Sequence, residues 1–322
     1  MINKYFIWPE SKIANALSSC WKIISTEQVE NKLFKMFPSG YPVLCSSGRS
    51  ALALAIEVSN KTRGDLVGLF PYASHCVIEA VSRTTTPLLG PTAIQADLRI
   101  VYHQWGYVQE KKLPLNTIED CVDTLCVPGT KLFPGGGSFE IWSLPKILGT
   151  TSGGILWCKN QEKALQIKEL RDSRGSSFFQ WILRLLSKKC SLVYNYWQGA
   201  ESVTGRPSIL QTGEIMYAIS KWNNIVQDRK KNLDLVWSLA LKGLLKPVQR
   251  LPTVVPVESQ IEETTLHMLG ISSGYRMFEI VNEDGSRKMI KVLPLPVFQD
   301  VGTNWLLDIH SKLVSKSDSS NA

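Results

Sequence analysis

The sequence predicts an α/β fold with a mainly parallel β-sheet, followed by a small C-terminal α+β domain. In the first half of the chain, short β-forming runs alternate with helical patterns, as in βαβ units. From residue 161 onward the pattern turns helical, and beyond Pro247 the prolines and β-like runs return. We therefore predict a large domain over residues 1–245 and a small domain over residues 246–322.

The elements of the large domain follow from apolar spacing and turn residues. The predicted strands are 42–45, 66–70, 99–103, 115–119, 139–142 and 154–158. The predicted helices are 49–60, 76–83, 161–171, 177–197 and 209–245. In a parallel sheet the ligand site collects at the carboxyl ends of the strands, so the residues that follow each strand are the candidates. In the small domain we predict strands 275–282 and 288–293 around a turn, then helix 304–316.

Composition narrows the class of protein. The chain has 322 residues, of which 44% are hydrophobic, so it can bury a substantial core. The net charge of +8 suits an anionic substrate or a cofactor phosphate. Because no nucleic-acid motif and no long basic block occurs, we do not expect nucleic acid as a partner.

The cysteine and histidine patterns predict a cytoplasmic protein without a metal. Seven scattered cysteines and no signal-peptide pattern indicate reduced thiols, and four scattered histidines disfavour zinc. No apolar stretch is long enough to span a bilayer. The amphipathic stretch at 177–197 could lie on a membrane surface, but such stripes more often form core or dimer contacts, which we prefer.

Two motifs follow the first two strands. Ser47-Gly48-Arg49-Ser50 places small residues where a strand turns into a helix, and the free N–H groups there can bind a phosphate. The alternative is an ordinary capped helix, since serine is a favoured N-cap. After the next strand, the ring of His75 could stack on a flat cofactor, although a lone histidine is weak evidence.

Two further motifs carry ionisable groups. Asp120 ends a predicted buried strand, where a carboxylate is costly unless it is paired; a protonated pyridine nitrogen or a helix N-terminus would justify it. In Ser143-Leu144-Pro145-Lys146, the hydroxyl can bind a phosphate while the amine acts as a nucleophile. Ser-x-x-Lys also occurs in penicillin-binding proteins, but their companion motifs are missing here.

Taken together and in order, these motifs resemble the DegT/DnrJ/StrS family of sugar aminotransferases. That family consists of pyridoxal-phosphate (PLP) enzymes with the aspartate-aminotransferase-like fold. The resemblance rests on five motifs: residues 47–52, 71–75, 103–106, 119–121, and 143–146 with Ser152-Gly153-Gly154. It covers the first half of the chain best.

The resemblance implies roles for the candidate residues. Lys146 would hold PLP covalently and later transfer the proton, and Asp120 would pair with the pyridine nitrogen. The phosphate would be held by Gly48, Arg49 and Ser143. His75 would lie over the cofactor ring.

The resemblance also implies a function, namely transfer of an amino group from glutamate to a nucleotide-linked keto sugar by a homodimer. The setting would be the biosynthesis of a surface polysaccharide such as lipopolysaccharide or O-antigen. Two departures stand out: Asp123 replaces the usual glutamine or histidine, and Ser152 replaces the glutamate of Glu-Gly-Gly. The alternatives are a degenerate family member that serves as a scaffold or binds a partner, and another PLP-dependent sugar-modifying enzyme.

Overall fold

Strands and helices alternate along the first half of the computed structural model, which describes residues 4–19, 23–108, 112–187, 190, 193, 204–239, 250–258, 263–281 and 286–319. The strands are β1 Tyr41–Cys45, β2 Leu66–Leu69, β3 Thr86–Leu89, β4 Leu98–Tyr102, β5 Thr117–Asp120, β6 Thr124–Leu125, β7 Phe139–Ser143, β8 Gly154–Cys158, β9 Leu251–Pro252, β10 Val254–Val257, β11 Arg276–Val281 and β12 Arg287–Pro296.

The helices surround these strands. They are α1 Ile13–Ser19, α2 Thr26–Met36, α3 Gly48–Val58, α4 His75–Ser82, α5 Leu144–Leu148, α6 Gln161–Ser173, α7 Phe178–Ser187, α8 Ile209–Ser220, α9 Trp222–Ser238, α10 Glu263–Met268 and α11 Thr303–Ser319. Short 3₁₀ turns occur at Pro91–Gln95 and Gln104–Gly106.

A seven-stranded sheet lies at the centre, in the order β1-β8-β7-β5-β4-β2-β3. Strands β7, β5, β4, β2 and β3 are mutually parallel, whereas β8 is antiparallel to both β7 and β1. The start of β8 therefore lies at the same edge as the carboxyl ends of its neighbours. The predicted α/β class with a mainly parallel sheet is confirmed.

The two faces of the sheet have different cores, as the alternation along β8 illustrates. Leu156 and Cys158 pack on the face covered by α3 and α6, while Ile155 and Trp157 pack on the other face. The second face holds an aromatic cluster in which Trp157 contacts Phe37 and Trp142 edge-on. This period of two is the ordinary consequence of a strand covered on both sides.

The structure differs from the predicted elements in two ways that have a physical reason. The edge strand β3 was not predicted because it contains Pro87, which only an edge strand tolerates. The predicted helix 209–245 is two helices that break at Lys221, where Trp222 turns inward and donates to the Cys126 carbonyl at 2.8 Å. The parts of helices 177–197 and 209–245 beyond α7 and α9, and the turn at 282–285, lie outside the described residues.

A three-stranded antiparallel sheet, β10-β12-β11, forms the core of the C-terminal part. It packs against α9 and α11. Strand β11 reaches the large sheet, where the Gln104 amide donates to the Met277 carbonyl at 2.9 Å. The buried ion pair of Arg250 and Glu140, 2.9 Å apart, is a second connection between the C-terminal part and the large sheet. The division between residues 245 and 246 remains a proposal.

Candidate active site

The turn after β1 has the structure that the sequence predicts for an anion site. Ser47 is the N-cap of α3, and its hydroxyl accepts a hydrogen bond from the Ser50 N–H at 3.1 Å. Gly48 and Arg49 are the first two residues of the helix and are half-buried. The N–H groups of a first helical turn have no partners within the helix, and the helix dipole favours an anion there.

Gly154 allows this turn to pack against the segment that carries the lysine. Strand β8 pairs Gly154 with Cys45 on one side and with Ser143 on the other. A Cβ at Gly154 would lie 2.3 Å from the Ser47 carbonyl carbon, so no larger residue fits. A Cβ at Gly48 would lie 3.4 Å from the Ser143 Cβ. The structure thus brings Gly48, Arg49 and Ser143 together, and we call these three the phosphate seat.

Lys146 is carried on the short helix α5, which starts directly after Ser143. The helix ends at Gly149, whose left-handed conformation (φ 72°) lets its N–H donate to the Pro145 carbonyl at 3.1 Å. Lys146 is half-buried, and its ammonium lies 5.0 Å from the ring centre of Trp8. This contact was not predicted, because Trp8 is far from the motif in sequence.

The buried carboxylate of Glu214 holds the loop after α5 through hydrogen bonds. Glu214 accepts hydrogen bonds from the Thr151 N–H at 2.8 Å and from the Thr151 hydroxyl. Trp181 donates to the same hydroxyl at 2.8 Å. The neighbouring Ser152 hydroxyl is buried and has no partner among the residues that the structure describes. Ser152 belongs to the loop that leads to Gly154, which packs on Ser47, and an unpartnered buried hydroxyl there can hydrogen-bond a ligand oxygen.

Asp120 ends β5 and is almost completely buried. Burial raises its pKa to about 6, the positive charge of Lys146 lowers it, and the charge of Asp123 raises it. The Val122 N–H donates to one carboxylate oxygen at 3.2 Å. Asp120 and Lys146 therefore act on each other electrostatically within one site.

Asp123 lies beside Asp120, and the structure shows how a second buried carboxylate is accommodated. Its two oxygens accept from the Tyr102 hydroxyl and from the Trp105 N–H, the latter at 3.3 Å. Trp105 adopts a left-handed conformation (φ 51°, ψ 38°), which aims this N–H, and its ring stacks on Phe278. Burial raises the pKa of Asp123, and Lys146 opposes that effect.

Glu119 has a structural role next to the site. It is fully buried and accepts from His103 Nε2 at 2.7 Å and from the N–H groups of Gly135 and Gly137 at 2.6 and 2.7 Å. The glycine-rich segment, which carries no dinucleotide fingerprint, thus serves as a cradle for this carboxylate. The hydrogen bond between His103 and Glu119 therefore connects the carboxyl ends of β4 and β5.

His75 is the first residue of α4 and is exposed. Between β2 and α4, Tyr72 packs with Phe70 and Tyr102, with ring centres 5.1 and 6.1 Å apart. The Tyr72 hydroxyl donates to Glu279 of β11 at 3.3 Å. The role of His75 over a cofactor ring stays a prediction.

These groups fit the three attachment points of PLP. The phosphate seat and the Ser152 hydroxyl match a phosphate, the Lys146 amine matches an aldehyde, and the Asp120 carboxylate matches a pyridinium nitrogen. A cavity of about 550 Å³ beside Ile24 and Arg206 is lined by none of these residues. We place the site at the strand ends because the chemically matched groups converge there. The described part of the chain holds no cluster of side chains suited to a metal ion.

The buried carboxylate predicts an unusual stability effect. Because the pKa of Asp120 rises from 3.8 to about 6, its favourable contribution is present at acidic pH and is lost as the pH rises through about 6. Asp120→Asn should therefore stabilise the cofactor-free protein at about pH 7, by up to about 3 kcal/mol, and much less at about pH 4. Urea unfolding at the two pH values measures this.

Asp65 provides a control, because its substitution should change the stability in the opposite direction. Hydrogen bonds from Thr62 lower the pKa of Asp65, so Asp65→Asn should destabilise the protein at neutral pH. If Asp120→Asn destabilised the protein at neutral pH as well, the interpretation that burial makes the ionised Asp120 carboxylate unfavourable would be wrong.

Several solved structures resemble the fold of this chain. No curated protein matches the sequence. The fold is similar to that of "Putative sugar aminotransferase Spr1654" from Streptococcus pneumoniae, with a TM-score of 0.67, 13% identity and 98% of each chain covered. It is also similar to a DegT DnrJ EryC1 StrS aminotransferase from Brucella abortus (TM-score 0.62, 11% identity, 94% of this chain and 95% of that one). A third similar structure is DesI, solved in the presence of its TDP-sugar product (TM-score 0.63, 11% identity, 97% of this chain and 92% of that one).

The predicted resemblance in fold to the DegT/DnrJ/StrS aminotransferases is thereby confirmed. A family model described as "Putative PLP-dependent aminotransferase" matches residues 29–235, which include every predicted site residue. The cofactor of this family is PLP. The chain belongs to the PLP-dependent aminotransferases.

Proposed function

We propose that this chain transfers an amino group from an amino acid to a keto sugar, using PLP held at the carboxyl edge of the sheet. The observation that carries the proposal is the convergence of Lys146, Asp120 and the phosphate seat on one edge. Each supplies a group that PLP requires: Gly48 and Arg49 follow β1, Asp120 ends β5, and Ser143 and Lys146 lie at the end of β7.

In this proposal each group has a separate role toward the cofactor. The phosphate seat binds the phosphate with backbone N–H groups and the Ser143 hydroxyl. Asp120 holds a proton on the pyridine nitrogen, and PLP when bound supplies an electron sink for the amino-bearing carbon. Lys146 Nζ would hold the cofactor through its aldehyde group, and as a free amine it would accept and return the proton of the amino-bearing carbon.

The environment of Lys146 suits this role. Its half-buried ammonium faces the Trp8 ring, which excludes water from one side. The carboxylates of Asp120 and Asp123 lie within electrostatic reach, as the effect of Lys146 on both pKa values indicates. The amine therefore lies next to the groups that the cofactor chemistry needs.

We further propose that the acceptor is a nucleotide-linked keto sugar and the donor is glutamate. The TDP-sugar product of the similarly folded DesI supports a nucleotide sugar, as does the net charge of +8, which favours a diphosphate. We place the reaction in the cytoplasm, in the biosynthesis of a surface polysaccharide such as lipopolysaccharide or O-antigen. None of the described helices is both long and apolar enough to cross a bilayer.

A homodimer is the proposed assembly. Helix α7 exposes two adjacent aromatic side chains, Phe178 at 46% and Phe179 at 61%, and continues to the exposed Leu186. An apolar face of this kind is typical of an interface between subunits.

The dimer proposal predicts that Phe179→Glu converts the protein to a monomer, because it places a charge in the interface. Light scattering after size exclusion measures the mass. The matched control is Leu165→Glu, which changes a similarly exposed apolar residue on α6 and should leave the mass unchanged. A monomeric wild-type protein would contradict the proposal.

Covalent attachment of PLP is predicted to depend on Lys146. After incubation with PLP and reduction with borohydride, mass spectrometry should find the cofactor on the Lys146 peptide of the wild-type protein. Lys146→Ala should lose both this adduct and the visible absorption band of the bound cofactor.

The control for that experiment is Lys159→Ala, since Lys159 is exposed at the far end of β8. This variant should keep the adduct and the band. A wild-type protein that stays colourless with PLP would instead favour the degenerate, partner-binding alternative.

The substrate proposal predicts an aminated nucleotide sugar as product. The wild-type protein with PLP, glutamate and a panel of nucleotide-linked keto sugars should give one such product by mass spectrometry. Asp120→Asn should lower its rate by about tenfold or more, because the pyridine nitrogen loses its anionic partner. Conversion of free keto sugars alone would overturn the nucleotide assignment, and another PLP-dependent product would indicate a different sugar-modifying reaction.

A further inference from the structure

Arg229, on helix α9, is a fully buried cation that contacts no carboxylate within the described ranges of the chain. Its guanidinium donates to the Ile147 carbonyl at 2.8 Å, the Gln299 side-chain oxygen at 2.7 Å and the Leu251 carbonyl at 3.3 Å. All three acceptors are neutral, and Nε has no partner among the described residues. Burial lowers its pKa to about 9, while the charges of Asp300 and Asp123 raise it.

The other buried arginines of the described ranges differ from Arg229. Arg171 forms ion pairs with Glu30 at 2.5 Å and with Asp172, and Arg250 pairs with Glu140 at 2.9 Å. A buried guanidinium is costly unless a neighbouring charge compensates it. For Arg229, the negative charges that oppose the cost of burial are those of Asp300 and Asp123, which act without direct contact.

The position of Arg229 connects it to the lysine. Ile147 directly follows Lys146, and its carbonyl is at the carboxyl end of α5, where a cation is favourable. The five-residue helix has few hydrogen bonds of its own, so an external cap contributes substantially to its order. Arg229 therefore holds the helix that positions Lys146.

A second connection leads to Asp123. Leu251, whose carbonyl accepts from Arg229, belongs to β9, and β9 pairs with β6 directly after Asp123. The other groups that face Asp123 are the Tyr102 hydroxyl, the Trp105 N–H, Lys146 and Asp120. Among these, Lys146 is the only cation, and the proposed chemistry consumes its free amine.

We propose that Arg229 is a positioning residue of the active site, which caps the lysine helix and supplies a positive charge to the surroundings of Asp123. It keeps the site electrostatically balanced when the Lys146 amine is engaged. The electrostatic part of this inference rests on the proposed function, whereas the capping of α5 can be tested without any cofactor.

The test compares Arg229→Gln, which removes the charge but keeps a donor, with Arg229→Lys, which keeps the charge but can reach fewer acceptors. Arg171→Gln is the matched control, because it removes a buried arginine that does not contact α5. In the cofactor-free proteins, hydrogen exchange is measured on the peptide that covers residues 144–149. We expect Arg229→Gln to accelerate this exchange by about tenfold or more and Arg229→Lys to accelerate it less. Arg171→Gln should accelerate it no more than the loss of global stability of that variant accounts for.

The second measurement is the PLP dissociation constant between about pH 5 and pH 9. Removal of a positive charge raises the pKa of a nearby carboxyl, so Arg229→Gln should bind PLP about tenfold more weakly and lose affinity at a higher pH on acidification. Arg229→Lys should keep the wild-type pH midpoint.

The outcomes separate the two proposals. Unchanged exchange in α5 for a folded Arg229→Gln or Arg229→Lys variant would overturn the role of Arg229. Accelerated exchange in α5 together with a wild-type protein that does not bind PLP would sink the proposed function while leaving the capping role in place. If Arg229→Gln does not fold, Arg229→Lys provides the test, and either unchanged exchange in α5 or a raised pH midpoint of PLP binding in that variant would overturn the inference.

Discussion

Burial of two carboxylates at one edge of the central sheet is the constraint on which the arrangement of the site depends. Asp120 and Asp123 are both nearly inaccessible, and burial raises the pKa of each. The side chains that compensate them come from other elements: the Tyr102 hydroxyl from β4, the ammonium of Lys146 from α5 and, in our proposal, the charge of Arg229 from α9. The site therefore reduces the stability of the fold, and the well-packed aromatic core around Trp142 and Trp157 offsets that cost.

The sequence predicts the fold class and the strand ends well because those signals are local. Apart from the edge strand β3, periodicity located the strands of the parallel sheet within one or two residues, and small residues marked the turn at Gly48. The antiparallel direction of β8 was not predictable, since alternation along a strand does not encode its direction. That direction is what places Gly154 against Ser47 and completes the phosphate seat.

The parts of the site that sequence reasoning missed are made by contacts between distant segments. The partners of Asp123 depend on the left-handed backbone of Trp105, which no composition signal indicates. Trp8 and Arg229 belong to no motif and reach Lys146 or its helix only in the folded chain. Conversely, the exposed position of His75 leaves its predicted role untested, because a ring that would face a cofactor has no contact by which to recognise it.

The hydrogen bonds of Ser46 have a consequence for how this protein is made. Its N–H donates to the Gly205 carbonyl at 2.9 Å, and its carbonyl accepts from the Gly153 N–H at 2.8 Å. The turn that begins α3 is therefore clamped by segments more than one hundred residues later in the chain. During synthesis on the ribosome, β1 and α3 emerge long before either clamp, and such non-local pairing is slow to form. A nascent chain can therefore complete this turn only after the segments that carry Gly153 and Gly205 have been translated.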